Sequence, residues 1–370
     1  MLTAIPDLAR TVVSFGVVLG ILVFFHELGH YLAARWRGVR VEAFSIGFGR
    51  TVASWTDKHG TVWKLSWLPL GGYVKMHGQE RPEFAPQSVK DAWIPGQTFH
   101  EKSVLSRAII VGAGPAANFL LAMVLFAGLF VAVGKPVTLP VVGDVLPDSA
   151  AAHAGLRAQD RIQEIGGKKI DTFEALQAAV MANPGHELPI TVHRGGADLK
   201  LTITPQPHES AGRQIGVIGV RGGLVEYQKV PLPDALWGGV AQTWTVTADT
   251  MKGLVQIVSG TRGSEELGGP LRIAQLSGQV AELGIGSLLM FIAVLSVNLG
   301  LINLFPIPVL DGGHLLFYAA EAVRGRPLPP RALDYGFRAG MALLAGLFVF
   351  ATWNDLTHLG LFHWFAGLLG

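Results

Sequence analysis

Four stretches of the chain lack charged residues, and each lies in a longer apolar run: residues 11–25, 108–133, 284–310 and 339–352. A helix needs roughly 20 predominantly apolar residues to cross about 30 Å of hydrocarbon. We therefore predict four membrane-spanning helices, at about 8–34, 105–133, 284–320 and 337–358. The apolar segment 359–370 is short, and we expect it at the membrane interface.

Between the first two spans, polar and apolar residues alternate as they do in β-strands. Val41–Ile46 is predicted as one strand, and the run 61–67 places its two tryptophans and Leu65 on a single face. Turn-forming residues at 57–60 separate these runs. The pattern fits a hairpin that lies on the membrane surface, and it also fits a re-entrant sheet that dips between the helices.

Residues 137–225 combine predicted strands and helices in a segment that reads as a separate soluble α+β domain. The run from Gly143 to Ile162, followed by 165–170, resembles the sequence of PDZ domains. PDZ domains bind an extended peptide by adding it as a strand, so peptide termini are a predicted partner. A domain that only controls access is the alternative. The predicted strands are 141–145, 161–165, 188–194 and 199–205, with helices at 149–156 and 172–182.

Residues 226–283 carry apolar residues at helical spacing, interrupted by glycines around 260–270, and are predicted as short helices on the membrane surface. The predicted fold is a polytopic α-helical membrane protein with four transmembrane helices, a re-entrant β-hairpin and one extracytoplasmic PDZ domain. Its segments are 1–36 (first span), 37–103 (β region and loop), 104–134 (second span), 135–225 (PDZ), 226–283 (surface helices), 284–322 (third span) and 323–370 (fourth span and tail).

Composition agrees with membrane insertion, since 50% of the residues are hydrophobic and only 15% are charged. The net charge of +2 gives no reason to expect nucleic acid as a partner, and the absence of cysteine excludes disulfides and thiolate sites. Basic residues mark cytoplasmic span ends. They cluster at 35–40, 102–107 and 324–338, which places 135–283 and both termini outside the cytoplasm and makes spans one and three parallel.

The first span contains His26, Glu27 and His30 in an H-E-x-x-H arrangement. Histidines at positions i and i+4 of a helix share one face and can reach one metal, and the glutamate beside them can take a proton from water. Ionisable groups within a span are costly and mark functional sites. We therefore predict one zinc ion per chain. Histidines that only bond to neighbouring helices are the alternative.

A catalytic zinc takes three protein ligands and keeps one position open. The third span offers two candidates near its cytoplasmic end, Asp311 and His314, which are one helical turn apart. Asp311 would balance the charge of the metal, while His314 could serve instead or could make an ordinary polar contact. The same span contains Asn303, Pro306 and Pro308. Two prolines inside a span indicate a broken helix that lines a site, or a simple kink.

Together these residues resemble the site-2 protease family of intramembrane zinc metalloproteases, of the bacterial sigma-E-regulator protease type. The resemblance extends over nearly the whole chain. It is carried by 25–30 with the histidines, 44–49 and 69–76 of the β region, 114–119 of the second span and 303–315 of the third. Well-known members have two tandem PDZ domains, whereas this chain has room for one.

The resemblance implies zinc ligation by His26, His30 and Asp311, with Glu27 as the catalytic base. It also implies that six residues handle substrate: Gly71, Gly72, Tyr73, Asn303, Pro306 and Pro308. The implied partners are the lipid bilayer and single-pass transmembrane proteins, such as anti-sigma factors already trimmed by another protease or remnant signal peptides.

The implied location is the bacterial inner membrane, with the active site in the cytoplasmic half of the bilayer. The competing hypothesis is a membrane-anchored PDZ scaffold or chaperone whose metal motif is vestigial. A zinc ion bound at one per chain would argue against that hypothesis.

Overall fold

The structure is a computed structural model that describes residues 4–80, 82, 85–210, 213–261, 263 and 268–358. The chain divides into two compact units. One contains Met1–Leu129 together with Leu236–Gly370, and the other is Phe130–Ala235. The C-terminal tail predicted at the interface, 359–370, lies outside the described residues.

The helices, numbered along the chain, are α1 Ala4–Trp36, α2 Gln87–Asp91, α3 Val104–Ala132, α4 Ala150–His153, α5 Phe173–Met181, α6 Leu232–Val258, α7 Pro270–Glu282, α8 Ile285–Asn303, α9 Asp311–Arg324 and α10 Pro330–His358. The strands are β1 Val41–Thr56, β2 Val62–Met76, β3 Lys135–Thr138, β4 Val142–Val145, β5 Arg161–Ile165, β6 Lys168–Lys169, β7 Leu188–Arg194, β8 Ala197–Ile203, β9 Gln206–Ser210, β10 Arg213–Val217, β11 Val220–Gly222 and β12 Val225–Gln228.

Four helices in the described part of the chain are long and apolar enough to cross a membrane: α1, α3, α8 and α10. Val18, Leu22 and Ile292 form a buried cluster where α1 meets α8. The segment 284–320, predicted as one span, consists instead of α8, an irregular stretch at 304–310, and α9. The two prolines of that stretch therefore separate two helices, because proline in a helix interior removes a hydrogen bond and clashes with the preceding turn.

The β region is larger than a simple hairpin, because both of its strands bend and pair twice. Phe44 faces Val74 on one side and Trp63 on the other, while Trp55 faces Trp63. The resulting order across the sheet is 72–76, 41–46, 62–66 and 51–56. Residues 47–56, for which no strand was predicted, thus supply the outer half of β1, and the segment 72–76 forms the opposite edge.

The turn of this sheet is fastened to α1 through a single carboxylate. Asp57 accepts hydrogen bonds from the Tyr31 hydroxyl at 3.2 Å and from the Trp63 indole at 3.0 Å. It also accepts the backbone N–H groups of His59 and Thr61. These bonds hold the sheet at the end of α1 that follows the histidine motif.

Helix α6 lies against two of the long apolar helices. A side chain added at Gly239 would meet the Met123 carbonyl of α3 at 2.5 Å, and the Thr250 hydroxyl donates to Asn298 of α8 at 2.9 Å. The opposite face of α6 is exposed yet apolar, and it carries Trp237, Val240, Trp244, Met251, Val255 and Val258.

The second unit contains the predicted α+β elements. Strands β5 and β7 have the predicted bounds, and they lie in a four-stranded sheet of order β6-β5-β7-β8. Helix α5 begins after Thr172, whose hydroxyl accepts the Ala175 N–H, as expected for an N-cap residue. Six short strands of the described residues were not predicted: β3, β6, β9, β10, β11 and β12.

Candidate metal centre

Three predicted ligands converge on one point. His26 Nε2 lies 3.2 Å from Asp311 Oδ2, His30 Nε2 lies 3.5 Å from the same oxygen, and the two Nε2 atoms are 3.3 Å apart. Metal–ligand distances of about 2.0–2.1 Å place neighbouring ligand atoms of a tetrahedral zinc site about 3.3 Å apart. The three atoms therefore have the spacing of three corners of a zinc tetrahedron.

The remaining ring nitrogen of His30 is held by α3. Its Nδ1 lies 2.9 Å from the Ile110 carbonyl, which can only accept, so Nδ1 carries the hydrogen and Nε2 presents its lone pair. Asp311 Oδ2 is buried and accepts no hydrogen bond among the described residues. The lone pair of His30 Nε2 and an unpaired carboxylate oxygen that face each other repel without a cation between them. The donor set therefore fits a divalent metal.

The histidines approach α3 at a glycine. A Cβ at Gly114 would overlap the imidazole of His30, so only glycine leaves room for the ring at this crossing of α1 and α3. Residues 114–119 were part of the resemblance to the site-2 protease family, but no role was predicted for any of them. Their place beside the ring nitrogens became visible only in the folded chain.

Asp311 is the first residue of α9, where the free N–H groups of a helix favour a carboxylate. Val309, two residues before Asp311, has a φ of +98°, a conformation that costs energy for a β-branched side chain. Strained backbone persists where surrounding structure enforces it, commonly at functional sites. The irregular stretch 304–310 thus serves to deliver Asp311 to the histidines.

His314, the rival ligand, lies outside the cluster of three. Its ring packs near Tyr318 and Phe337, with centroid distances of 6.4 and 5.4 Å. It contributes instead to the wall of a cavity of about 390 Å³ that reaches the cluster. The polar residues of this wall are Glu27, Gln79, His30, His100, Arg107, Asp311 and His314.

Glu27 lies in the same cavity and contacts the edge of the β sheet. A Cβ at Gly72 would come within 3.1 Å of Glu27 Cγ, and the Val74 N–H is within hydrogen-bonding reach of the carboxylate. Tyr73 lies on the same strand and stacks with Phe48. The predicted substrate residues of β2 are therefore next to the predicted catalytic base.

The other predicted substrate residues lie on the irregular stretch before α9. The side-chain amide of Asn303 donates to the Leu299 carbonyl of its own helix at 3.0 Å. Pro306 is exposed, and Pro308 lies close to Gly340 of α10. These three residues are not among those that line the cavity with Glu27.

Known proteins match this chain over a range that includes His26, His30 and Asp311. The model of Peptidase family M50 matches residues 14–347. A relative from Rhizobium meliloti whose name describes a zinc metalloprotease is 45% identical, covering 96% of this chain and 98% of its own. Metalloprotease MmpA of Caulobacter vibrioides is 37% identical, with 96% and 98% covered. Zinc metalloprotease RasP of Geobacillus kaustophilus is 33% identical, with 94% and 98% covered.

Among solved structures, the PDZ domain of an SdrC-like protein from Listeria monocytogenes covers 22% of this chain and 84% of its own, with 23% identity and a TM-score of 0.20.

Proposed function

The chain belongs to peptidase family M50, the site-2 protease family, and is a zinc-dependent metalloendopeptidase; from that premise we propose that it hydrolyses peptide bonds within the transmembrane segments of single-pass membrane proteins. The observation that carries this proposal is the cluster of His26, His30 and Asp311 among helices long and apolar enough to span a membrane. A hydrolytic site enclosed by such helices is costly to build, so its substrate is expected there too.

We assign the metal ligands to His26 Nε2, His30 Nε2 and Asp311 Oδ2. These three residues would hold the zinc ion, which would act as a Lewis acid that polarises a peptide carbonyl and makes water more acidic. The Asp311 carboxylate would neutralise one of the two positive charges of the zinc ion, because both histidines would bind as neutral imidazoles.

Glu27 is assigned as the general base. Its carboxylate takes a proton from the attacking water, whose oxygen forms a bond to the carbonyl carbon of the substrate. The C–N bond then breaks, and Glu27 returns the proton to the leaving nitrogen. Its position beside the ligands and on the cavity wall supports this role.

The substrate must be extended where it is cut, because a helix hides its carbonyl groups in hydrogen bonds. The edge segment 72–76 of the sheet faces Glu27, so an extended peptide added there would pass beside the base. We assign the contacts of that peptide to Gly71, Gly72 and Tyr73. Asn303, Pro306 and Pro308 are assigned to the next stretch of substrate, as the family resemblance implies.

The proposed substrates, membrane and orientation rest on the family resemblance and on the distribution of basic residues along the chain. Substrates are expected to include trimmed anti-sigma factors or remnant signal peptides. The protein is expected in the bacterial inner membrane, with the metal in the cytoplasmic half of the bilayer and the α+β unit outside. The α+β unit is proposed to be a PDZ domain that binds peptide termini or controls the entry of substrates.

Replacement of Glu27 by glutamine tests the proposal. Glu27→Gln keeps the size of the side chain but removes the base, so cleavage of a single-pass reporter should be lost while zinc stays at one ion per chain. The control is Glu226→Gln, the same change at an exposed residue of β12. Cleavage by Glu27→Gln at the rate of the unmodified protein would refute the assigned mechanism. Absence of zinc in the unmodified protein would instead favour the scaffold hypothesis.

A further inference from the structure

Asn118 of α3 touches the metal cluster without being one of its ligands. The residue is fully buried, and one end of its side-chain amide lies 3.1 Å from His26 Nδ1. The other end, assigned as Oδ1, is buried without a hydrogen-bond partner among the described residues. A buried polar atom that lacks a partner is rare and calls for an explanation.

The chemistry of the histidine favours the opposite orientation of the amide. An imidazole that binds a metal through Nε2 carries its hydrogen on Nδ1, as His30 does toward the Ile110 carbonyl. His26 then needs an acceptor at Nδ1. The oxygen and nitrogen of an amide have nearly the same shape, and their assignment follows from the hydrogen-bond network. Rotation of the Asn118 amide by half a turn brings the unpartnered oxygen to His26.

Asn118 is itself held in place from a third helix. The Ser296 hydroxyl of α8 donates to the backbone carbonyl of Asn118 at 2.8 Å, and both residues are fully buried. Asn118 therefore connects His26 on α1 with Ser296 on α8. The position of the imidazole depends on these three helices together.

We propose that Asn118 is the positioning residue of His26: its amide oxygen accepts the Nδ1–H and thereby orients the Nε2 lone pair toward the metal, while Ser296 holds the backbone of Asn118 in place. The inference rests on the proposed zinc site. Residues that orient a ligand in this way raise its basicity and restrict its rotation, and their loss commonly lowers metal affinity by about 10–100-fold.

Two substitutions at this position separate hydrogen bonding from packing. Asn118→Leu keeps a similar volume and removes the acceptor, whereas Asn118→Asp keeps an acceptor oxygen. The purified full-length proteins are equilibrated with buffers of defined free zinc, and bound zinc is measured by mass spectrometry. Asn118→Leu should require about 10–100-fold more free zinc for half saturation, and Asn118→Asp should bind as well as the unmodified protein or more tightly.

Asn298→Leu is the matched control, since Asn298 is also an asparagine of a long apolar helix but contacts Thr250 rather than a ligand. Its half-saturation point should not move. Thermal unfolding in the absence of zinc reports any loss of fold independently. Unchanged zinc affinity in Asn118→Leu would overturn the inference, and so would equal weakening by leucine and aspartate.

The outcomes also distinguish this inference from the proposed function. Zinc binding that depends on Asn118 in a protein that cleaves no membrane substrate would refute the proposed substrate class only. Full cleavage activity together with an Asn118→Leu variant of normal zinc affinity would refute the positioning role only.

Discussion

His26 Nε2 and Asp311 Oδ2 lie 3.2 Å apart, although one residue is in the second half of the first long helix and the other opens α9. His314, on the next turn of α9, faces the same cavity beside aromatic rings. The contact between His26 and Asp311 favours Asp311 over His314 as the third ligand, although the two candidates are only one helical turn apart.

Removal of Asp311 should therefore abolish zinc binding, and removal of His314 should not. With Asp311→Ala only two ligands remain, which is fewer than catalytic zinc sites use. Elemental analysis of purified protein should find little zinc in Asp311→Ala and close to one ion per chain in His314→Ala. Zinc loss in His314→Ala with retention in Asp311→Ala would reverse the ligand assignment.

A methyl group at Gly114 should displace His30. The added Cβ would overlap the imidazole, so the ring or the helix must move, and overpacking of this kind costs about 1–3 kcal/mol. Gly114→Ala should lower both zinc affinity and proteolysis. Gly112→Ala is the control, because its Cβ would meet Leu315 only at an ordinary 4.0 Å. Equal zinc binding in both variants would contradict the close approach.

The stability of the α+β unit should depend on pH through Asp160. This carboxylate is fully buried, and burial alone would raise its pKa. Arg194 binds both of its oxygens at 2.7 Å, and the Arg157 N–H donates at 2.8 Å. These bonds outweigh burial and hold the pKa of Asp160 below its ordinary value of 3.8.

Because the pKa is lower in the folded state, the stabilisation is complete above the ordinary value and disappears as pH falls through the folded one. Asp160→Asn should destabilise the unit by about 2 kcal/mol at pH 7, and the difference should shrink toward pH 3. Hydrogen exchange of the β5 and β7 backbone amides in the full chain measures this difference in stability. The control, Asp198→Asn, changes a carboxylate that is 58% exposed and should have little effect. A constant difference between pH 7 and 3 would contradict the assignment.

The exposed apolar face of α6 should contact lipid. The other side of the helix lies against α3 and α8, and three of its threonines, Thr243, Thr245 and Thr247, donate to carbonyls four residues earlier. Hydroxyls satisfied within the helix need no water, which suits a membrane environment.

Single cysteines can test this face directly, because the chain has none of its own. Val255→Cys lies in the apolar stripe, and Gln256→Cys is its neighbour about 100° around the helix. In membranes, a water-soluble maleimide should label Cys at position 256 faster than at 255, and detergent should reduce the difference. Equal labelling in membranes would show that the stripe faces water.

Local patterns in the sequence were sufficient wherever the deciding interaction is local. The four long apolar helices follow from runs of apolar residues, and the pairing of His26 with His30 follows from the helical repeat. Strands β5 and β7 and the cap at Thr172 follow from alternation and capping chemistry. Each of these features depends on residues that are close in the chain.

The tertiary structure decided what depends on the crossing of distant helices. The sequence left Asp311 and His314 open on physical grounds, and it assigned Asn118 no role. The packing of α1, α3, α8 and α9 decided both questions, because it determines which side chains lie beside His26. The second pairing of β1 and β2 was likewise hidden, because a strand that bends back on its sheet has the same alternation as one that ends. A repeat along the chain determines which face a residue occupies, but only the fold determines what lies opposite that face.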